Sequence, residues 1–283
     1  MKYIGMPMGM WALFKKSFEQ NLTTEFGLDR NTAKKVTAKA KFRYKEIIAG
    51  LPEFEKKDCF KVNIVNCALL SAFVLNMPKR PDVKRLTAYY AGSMMTPAMR
   101  WFCRKSGKSK FSDKDIASMQ ATERLKAADR NPYSWNMEFY PYPDGSGYEA
   151  RFTACGICTL MRELGLYDLV PAMCRLDYTM SEAGCATDFV RKYTLASGGP
   201  YCDCGYRKKP GRNDNKGFWD RWAKRYDRTI AIEKNTYVQI LRRMKKKLDR
   251  EMYVLELACG QSRDIWATNA PIFPLWLQKR QSR

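Results

Sequence analysis

The stretch that decides the fold is NPYSWNMEFYPYPDGSGYEARFTA, residues 131–154. Two aromatic-rich runs, Tyr133–Tyr142 and Tyr148–Ala154, flank Pro143-Asp144-Gly145-Ser146-Gly147. Aromatic side chains suit the pleated, half-buried face of a strand, and the Asp-Gly-Ser-Gly segment suits a tight turn, so the pattern predicts a β-hairpin. Upstream, residues 6–130 read as helical. Asn31 and Thr32 cap a predicted helix that runs to about Ala49 and stops at Gly50-Leu51-Pro52. A second is predicted over Glu53–Asn76, and a third over Asp82–Lys105 with a bend at Pro97. Ser112 with Asp115 is a capping-box pattern for a fourth, through Ala128. Downstream, a helix at about Leu166–Ala183 precedes two predicted strands, Phe189–Leu195 and Tyr201–Lys208, joined by Ala196-Ser197-Gly198-Gly199-Pro200. The expected class is α+β: an N-terminal helical region, then a small, mostly antiparallel sheet with packed helices. The expected organisation is a domain over 1–208, a linker over 209–216 and an appendage over 217–283, with one helix and a single strand.

Composition narrows the function. The 283 residues carry 51 Lys and Arg against 29 Asp and Glu, a net charge of +22, with ten Cys and no His. Without imidazole, His-based triads, His-ligated metals and His pH switches are excluded, and acid–base work falls to Asp, Glu, Cys, Lys or Tyr. The positive excess is spread along the chain, with one dense run at Arg242-Arg243-Met244-Lys245-Lys246-Lys247, and no nucleic-acid-binding signature accompanies it. A solvated basic surface is the expectation, with no specific nucleic-acid partner. The apolar start runs straight into Lys15-Lys16, the reverse of a secretory signal, and the apolar stretch Cys67–Leu75 is too short to span a bilayer. A cytoplasmic protein with reduced thiols and no membrane association is expected.

Six cysteines fall close together: Cys155, Cys158, Cys174, Cys185, Cys202 and Cys204. Four chemistries compete for them. Cys155-Gly156-Ile157-Cys158, set between a strand and a helix, is a potential redox pair, although no thioredoxin-like alternation of strands and helices surrounds it. Cys155, Cys158, Cys174 and Asp177 have zinc-like spacing. Cysteines also serve simply as small buried residues, the plain account of Cys59, Cys67, Cys103 and Cys185. In the hydrolytic alternative, Cys174 and Asp177 share one helix face, Cys202 and Asp203 follow the Gly198-Gly199-Pro200 turn, and Arg191 is free to fork onto a carboxylate.

Residues 1–208 resemble the L-2-amino-thiazoline-4-carboxylic acid hydrolase family. The resemblance lies in Met1–Lys16, Met94–Lys108, Asn131–Ala154 and above all Cys155–Tyr206. That last stretch holds Cys155, Leu169-Val170-Pro171, Cys174-x2-Asp177, Arg191, Thr194-Leu195-Ala196-x-Gly198-Gly199 and Cys202-Asp203. The resemblance implies that water opens a cyclic amidine-like ring to give an N-carbamoyl amino acid, with a small-molecule substrate and neither cofactor nor metal. It implies Asp177 as base, Cys174 or Cys202 as nucleophile or acid, Asp203 on the ring nitrogen and Arg191 on the carboxylate. Gly198, Gly199 and Cys155 would line the substrate site. A ligand-binding member without catalysis, and a metal or redox protein built on the cysteines, are the alternatives.

The tail resembles a second family. Gly217–Asp227 and then Val254-Leu255-Glu256-Leu257-Ala258-Cys259-Gly260 are similar to the opening of a class I S-adenosylmethionine-dependent methyltransferase. The last glycine of the cofactor loop is replaced and the rest of the sheet is missing, so this piece is expected to be inactive.

Overall fold

The computed structural model describes residues 6–55, 57–127 and 129–209, with Gln239 and Arg243. The account below concerns residues 6–209, within the unit Met1–Arg212. The methyltransferase-like stretch and the expected C-terminal helix and strand lie outside the described residues.

Six helices come first: α1 (Met6–Phe26), α2 (Arg30–Gly50), α3 (Lys61–Val74), α4 (Val83–Met94), α5 (Pro97–Ser109) and α6 (Asp113–Lys126). Their ends follow local chemistry. The α2 cap is Asp29, whose carboxylate accepts from Asn31 N at 2.9 Å and Thr32 N at 3.1 Å, so the two expected caps are the capped residues. α3 starts eight residues later than predicted. Asp58 holds the preceding loop by accepting from Phe60 N at 2.7 Å and from the buried Lys126 ammonium at 2.5 Å. The predicted bend at Pro97 is a full break. Thr96 leaves the helical backbone and accepts from Met99 N, and Pro97 opens α5, where its missing N–H costs nothing. Ser112 caps α6 through Asp115 N, as its pattern predicts.

After α6 come β1 (Glu138–Pro141) and β2 (Gly147–Phe152), the expected hairpin, paired antiparallel with Phe139 opposite Ala150. Then follow α7 (Gly156–Glu163), α8 (Val170–Cys174), α9 (Leu176–Gly184), β3 (Thr187–Val190) and β4 (Cys202–Lys208). The sheet order is β1-β2-β4-β3, antiparallel throughout. The chain is therefore α+β, helices packed on a small antiparallel sheet. The single helix expected near 166–183 is a 3-10 turn, α8 and α9, with the axis broken at Arg175. The strand expected to reach Leu195 stops at Val190, because Thr194 caps a 3-10 turn over Leu195–Ser197.

β2 alternates: Tyr148, Ala150 and Phe152 are buried. Their partners on β4 are Tyr206, Cys204 and Cys202, which therefore share that face, whereas Asp203 pairs with Arg151 on the other. The helical core is centred on α3, where Ile64, Val65 and every residue from Cys67 to Val74 are buried. A helix apolar all round belongs inside, not on a surface. It packs against α2, α1 and α7. Trp11 of α1 stacks on Phe73 at 5.6 Å and on Tyr44 at 5.8 Å. α5 crosses α9 closely at a pair of glycines. A methyl on Gly107 would lie 2.4 Å from the Gly184 carbonyl oxygen. Among the described residues no helix is long and apolar enough to cross a membrane.

Candidate active site

Arg191 organises the site. Leaving β3, it sends its guanidinium inward over the Phe189 ring, centroid distance 4.7 Å. Nη2 donates to Asp177 Oδ2 at 2.6 Å and to Cys204 Sγ at 2.7 Å. Nη1 donates to the Cys174 carbonyl at 2.9 Å, and Nε to the Asp203 carbonyl at 3.2 Å. Four of the five N–H groups are thus engaged, and the side chain is 6% exposed. In this geometry those donors meet protein acceptors, where the sequence reading expected a fork onto a substrate carboxylate. The cation ties the end of α8 and the start of α9 to β4, and no paired face of it remains for a ligand.

Asp177, in the first turn of α9, has a side chain 43% exposed. Desolvation raises its pKa, and the Arg191 charge and hydrogen bond pull part of the way back. Cys174, at the end of α8, is half-buried, and burial pushes its thiol up to about 12 despite the nearby guanidinium. Cys202 is buried, raised chiefly by burial, and its sulfur accepts from Leu195 N at 3.2 Å. Cys204, behind Arg191, is pushed up to about 12 by burial. These three remain thiols at neutral pH.

Cys155 differs. It is the N-cap of α7, paired across an isolated bridge with Trp135. Donors on Cys158 (thiol and N–H), Ile157 (N–H) and Trp135 (indole) lie toward its sulfur, although the side chain makes no capping hydrogen bond. Led by the Cys158 contact, these donors outweigh burial and bring the thiol down to about 7. The same contact, with burial, pushes Cys158 upward. Donors gathered around a sulfur at a helix start are conditions that favour a thiolate. The α7 start sits there because Gly156 has no side chain. A Cβ would lie 1.9 Å from the Tyr133 carbonyl oxygen. The sequence reading placed Cys155 in a redox pair, in the zinc-like spacing and among substrate contacts; its thiol is the one in the cluster with a lowered pKa.

Cys174 and Cys202 both lie within electrostatic range of Cys155 and of the Asp177–Arg191 pair. Cys155, Cys174, Asp177, Arg191 and Cys202 therefore converge. Three expected residues do not. Asp203 stands on the opposite face of β4, its oxygens accepting from Lys192 N at 2.7 Å and Tyr193 N at 2.6 Å, which makes it a loop anchor. Gly198 ends the 3-10 turn at φ +79°, and a Cβ on Gly199 would lie 2.9 Å from the Thr194 carbonyl oxygen, so both serve the turn. Cys204 and Trp135 were missed as site residues, and Cys158 entered only the redox and zinc readings. Alternation along Cys202-Asp203-Cys204 was the available signal for Cys204. Among the described residues no group of three or more Cys, Asp or Glu side chains is placed to hold a metal ion, so the zinc-like spacing is not assembled into a site.

No curated protein and no solved structure matched the chain. A family model did, over a narrower stretch than the resemblance from residue 1 suggested. Residues 82–206, from the cap of α4 into β4 and including every side chain of this site, match the model of the L-2-amino-thiazoline-4-carboxylic acid hydrolase family.

Proposed function

We propose that this domain hydrolyses a small cyclic amidine-like carboxylate, opening the ring to an N-carbamoyl amino acid, with Cys155 as nucleophile and Asp177 as proton carrier. The observation that carries the reading is a partly accessible thiol, lowered to about 7, in the same cluster as a partly accessible carboxylate of raised pKa. Both groups then titrate nearer neutrality than free cysteine and aspartate do, as a nucleophile and a general acid–base require.

The steps balance as follows. The Cys155 thiolate adds to C2 of the protonated ring, and the ring carbon–sulfur bond breaks. The departing sulfur takes the amidinium proton, relayed by Asp177. Water then attacks the carbon held on Cys155, giving its proton to Asp177. The carbon–Sγ bond breaks, the thiolate returns and the carbamoyl product leaves. Asp177 passes to solvent the proton that the substrate brought in. Arg191 holds Asp177 in position and takes no part in the proton path.

The test is turnover of the thiazoline carboxylate with the carbamoyl product measured directly. Cys155→Ser and Asp177→Asn should each lower the rate roughly a hundredfold or more, while Cys185→Ser, remote and exposed, should not. Wild-type protein that forms no product, or Cys155→Ser acting at the wild-type rate, would sink the proposal.

A further inference from the structure

Hydrolysis occupies Cys155 and leaves its neighbour without a task. Cys158 sits one turn into α7, buried, three residues after Cys155 on the same helix start. Every described cysteine is free. The cap and the third residue of a helix are neighbours across a single turn, so joining the two sulfurs needs side-chain rotation and no movement of one element against another. The pair is also asymmetric. Cys155 is partly open to solvent and Cys158 lies behind it. A thiol–disulfide couple works this way: the reachable sulfur meets the oxidant and the shielded one resolves it. Cys174 and Cys202 are less suited. Cys174 belongs to another helix, and the Cys202 sulfur is held by Leu195 N.

We propose that Cys155 and Cys158 form a reversible disulfide when a peroxide reaches the site, switching off hydrolysis and protecting Cys155 from irreversible oxidation. The loss of hydrolysis rests on the nucleophile assigned above; the disulfide itself does not. The Cys155 sulfur attacks a peroxide oxygen, the S–O bond forms, the O–O bond breaks, and the departing hydroxide takes a proton to become water. The Cys158 sulfur then attacks Cys155, the S–S bond forms, the S–O bond breaks, and oxygen leaves as a second water with the Cys158 proton. The two thiols supply the two electrons that reduce the peroxide. A dithiol reductant reverses the reaction.

The experiment uses the full chain, reduced and then exposed to hydrogen peroxide, alkylated and mapped by mass spectrometry. The expected result is a peptide linking Cys155 to Cys158, with thiazoline turnover lost and then regained in dithiothreitol. In Cys158→Ser the same treatment should carry Cys155 to the sulfinic acid, and dithiothreitol should restore nothing. A link from Cys155 to Cys174 or Cys202 overturns the proposal, as does equal recovery of wild type and Cys158→Ser. Linkage without any turnover would refute the hydrolase and leave the redox pair standing; turnover without linkage would do the reverse.

Discussion

A single guanidinium shows where residue type and residue role part company. Arg191 was legible as a cation near acids and thiols, read as free to fork onto a carboxylate, but its partners were not, because three of its hydrogen bonds go to carbonyls and to a sulfur on another strand. Arg191→Lys keeps the charge and loses the planar fork. It should destabilise the fold by about 2 kcal/mol, read by denaturant unfolding, since a charge-assisted hydrogen bond is worth about 1.5–3 kcal/mol. Cys155 carries the second prediction at this scale. Its alkylation rate should rise with pH through an inflection near 7, well below the ordinary cysteine value, because only the thiolate reacts. Below that inflection the proton returns and reactivity should fall away. An inflection near the ordinary value would show that the α7 start does not stabilise the thiolate.

At the scale of elements, strand alternation and helix starts decide which side chains meet. Asp203 and Cys202 are adjacent in sequence and opposite in space, so a period of two separates a loop anchor from the thiol cluster. Asp203→Asn should lower the unfolding midpoint, costing about 1–3 kcal/mol as an amide donor meets a backbone donor, and any fall in turnover should follow the loss of folded protein. The hairpin, the α6 cap and the α+β class were readable because turn residues and caps act locally. α7 was not read. Eight residues are barely two turns, and the reason its first residue is a glycine, the Tyr133 carbonyl, lies over twenty residues upstream. Gly156→Ala should therefore destabilise by about 1–3 kcal/mol, the usual cost of overpacking, and should move the Cys155 inflection upward as the helix start shifts. An unchanged inflection would separate the glycine from the thiol.

For the whole molecule, the decisive polar feature lies away from the site. Lys126 is 1% exposed and donates to Asp58 and Asp129 at 2.5 Å each and to Ser134 at 2.6 Å, joining α6 to the loops before α3 and β1. Burial pushes its ammonium down, but the hydrogen bonds it donates to Asp129 and Asp58, with their charges, outweigh this and leave it raised. Burial likewise pushes Asp129 up, and Lys126 with Asn131 N brings it below the usual range. The raised lysine contributes stability below its unfolded pKa and loses it as pH climbs through the folded value. The lowered aspartate contributes above its unfolded pKa and loses it as pH falls through the folded value. Lys126→Met should cost about 3–5 kcal/mol at neutral pH by stranding buried carboxylates. The deficit should shrink in acid as they protonate, measured as unfolding midpoint against pH. The sequence offered no hint of this cluster, since a lone lysine near a helix end reads as solvated.

The enclosure of α3 has one more consequence, for motion. Its amides can exchange with deuterated solvent only when the surrounding helices open, so they should be among the last in the domain to exchange. Cys67 of that helix lies within electrostatic range of Cys155. α7 also packs on α3, so on the proposed reaction Cys155 would back onto the slowest-exchanging helix of the described domain, and adaptation to differently shaped ring compounds would fall to the opposite, outer side.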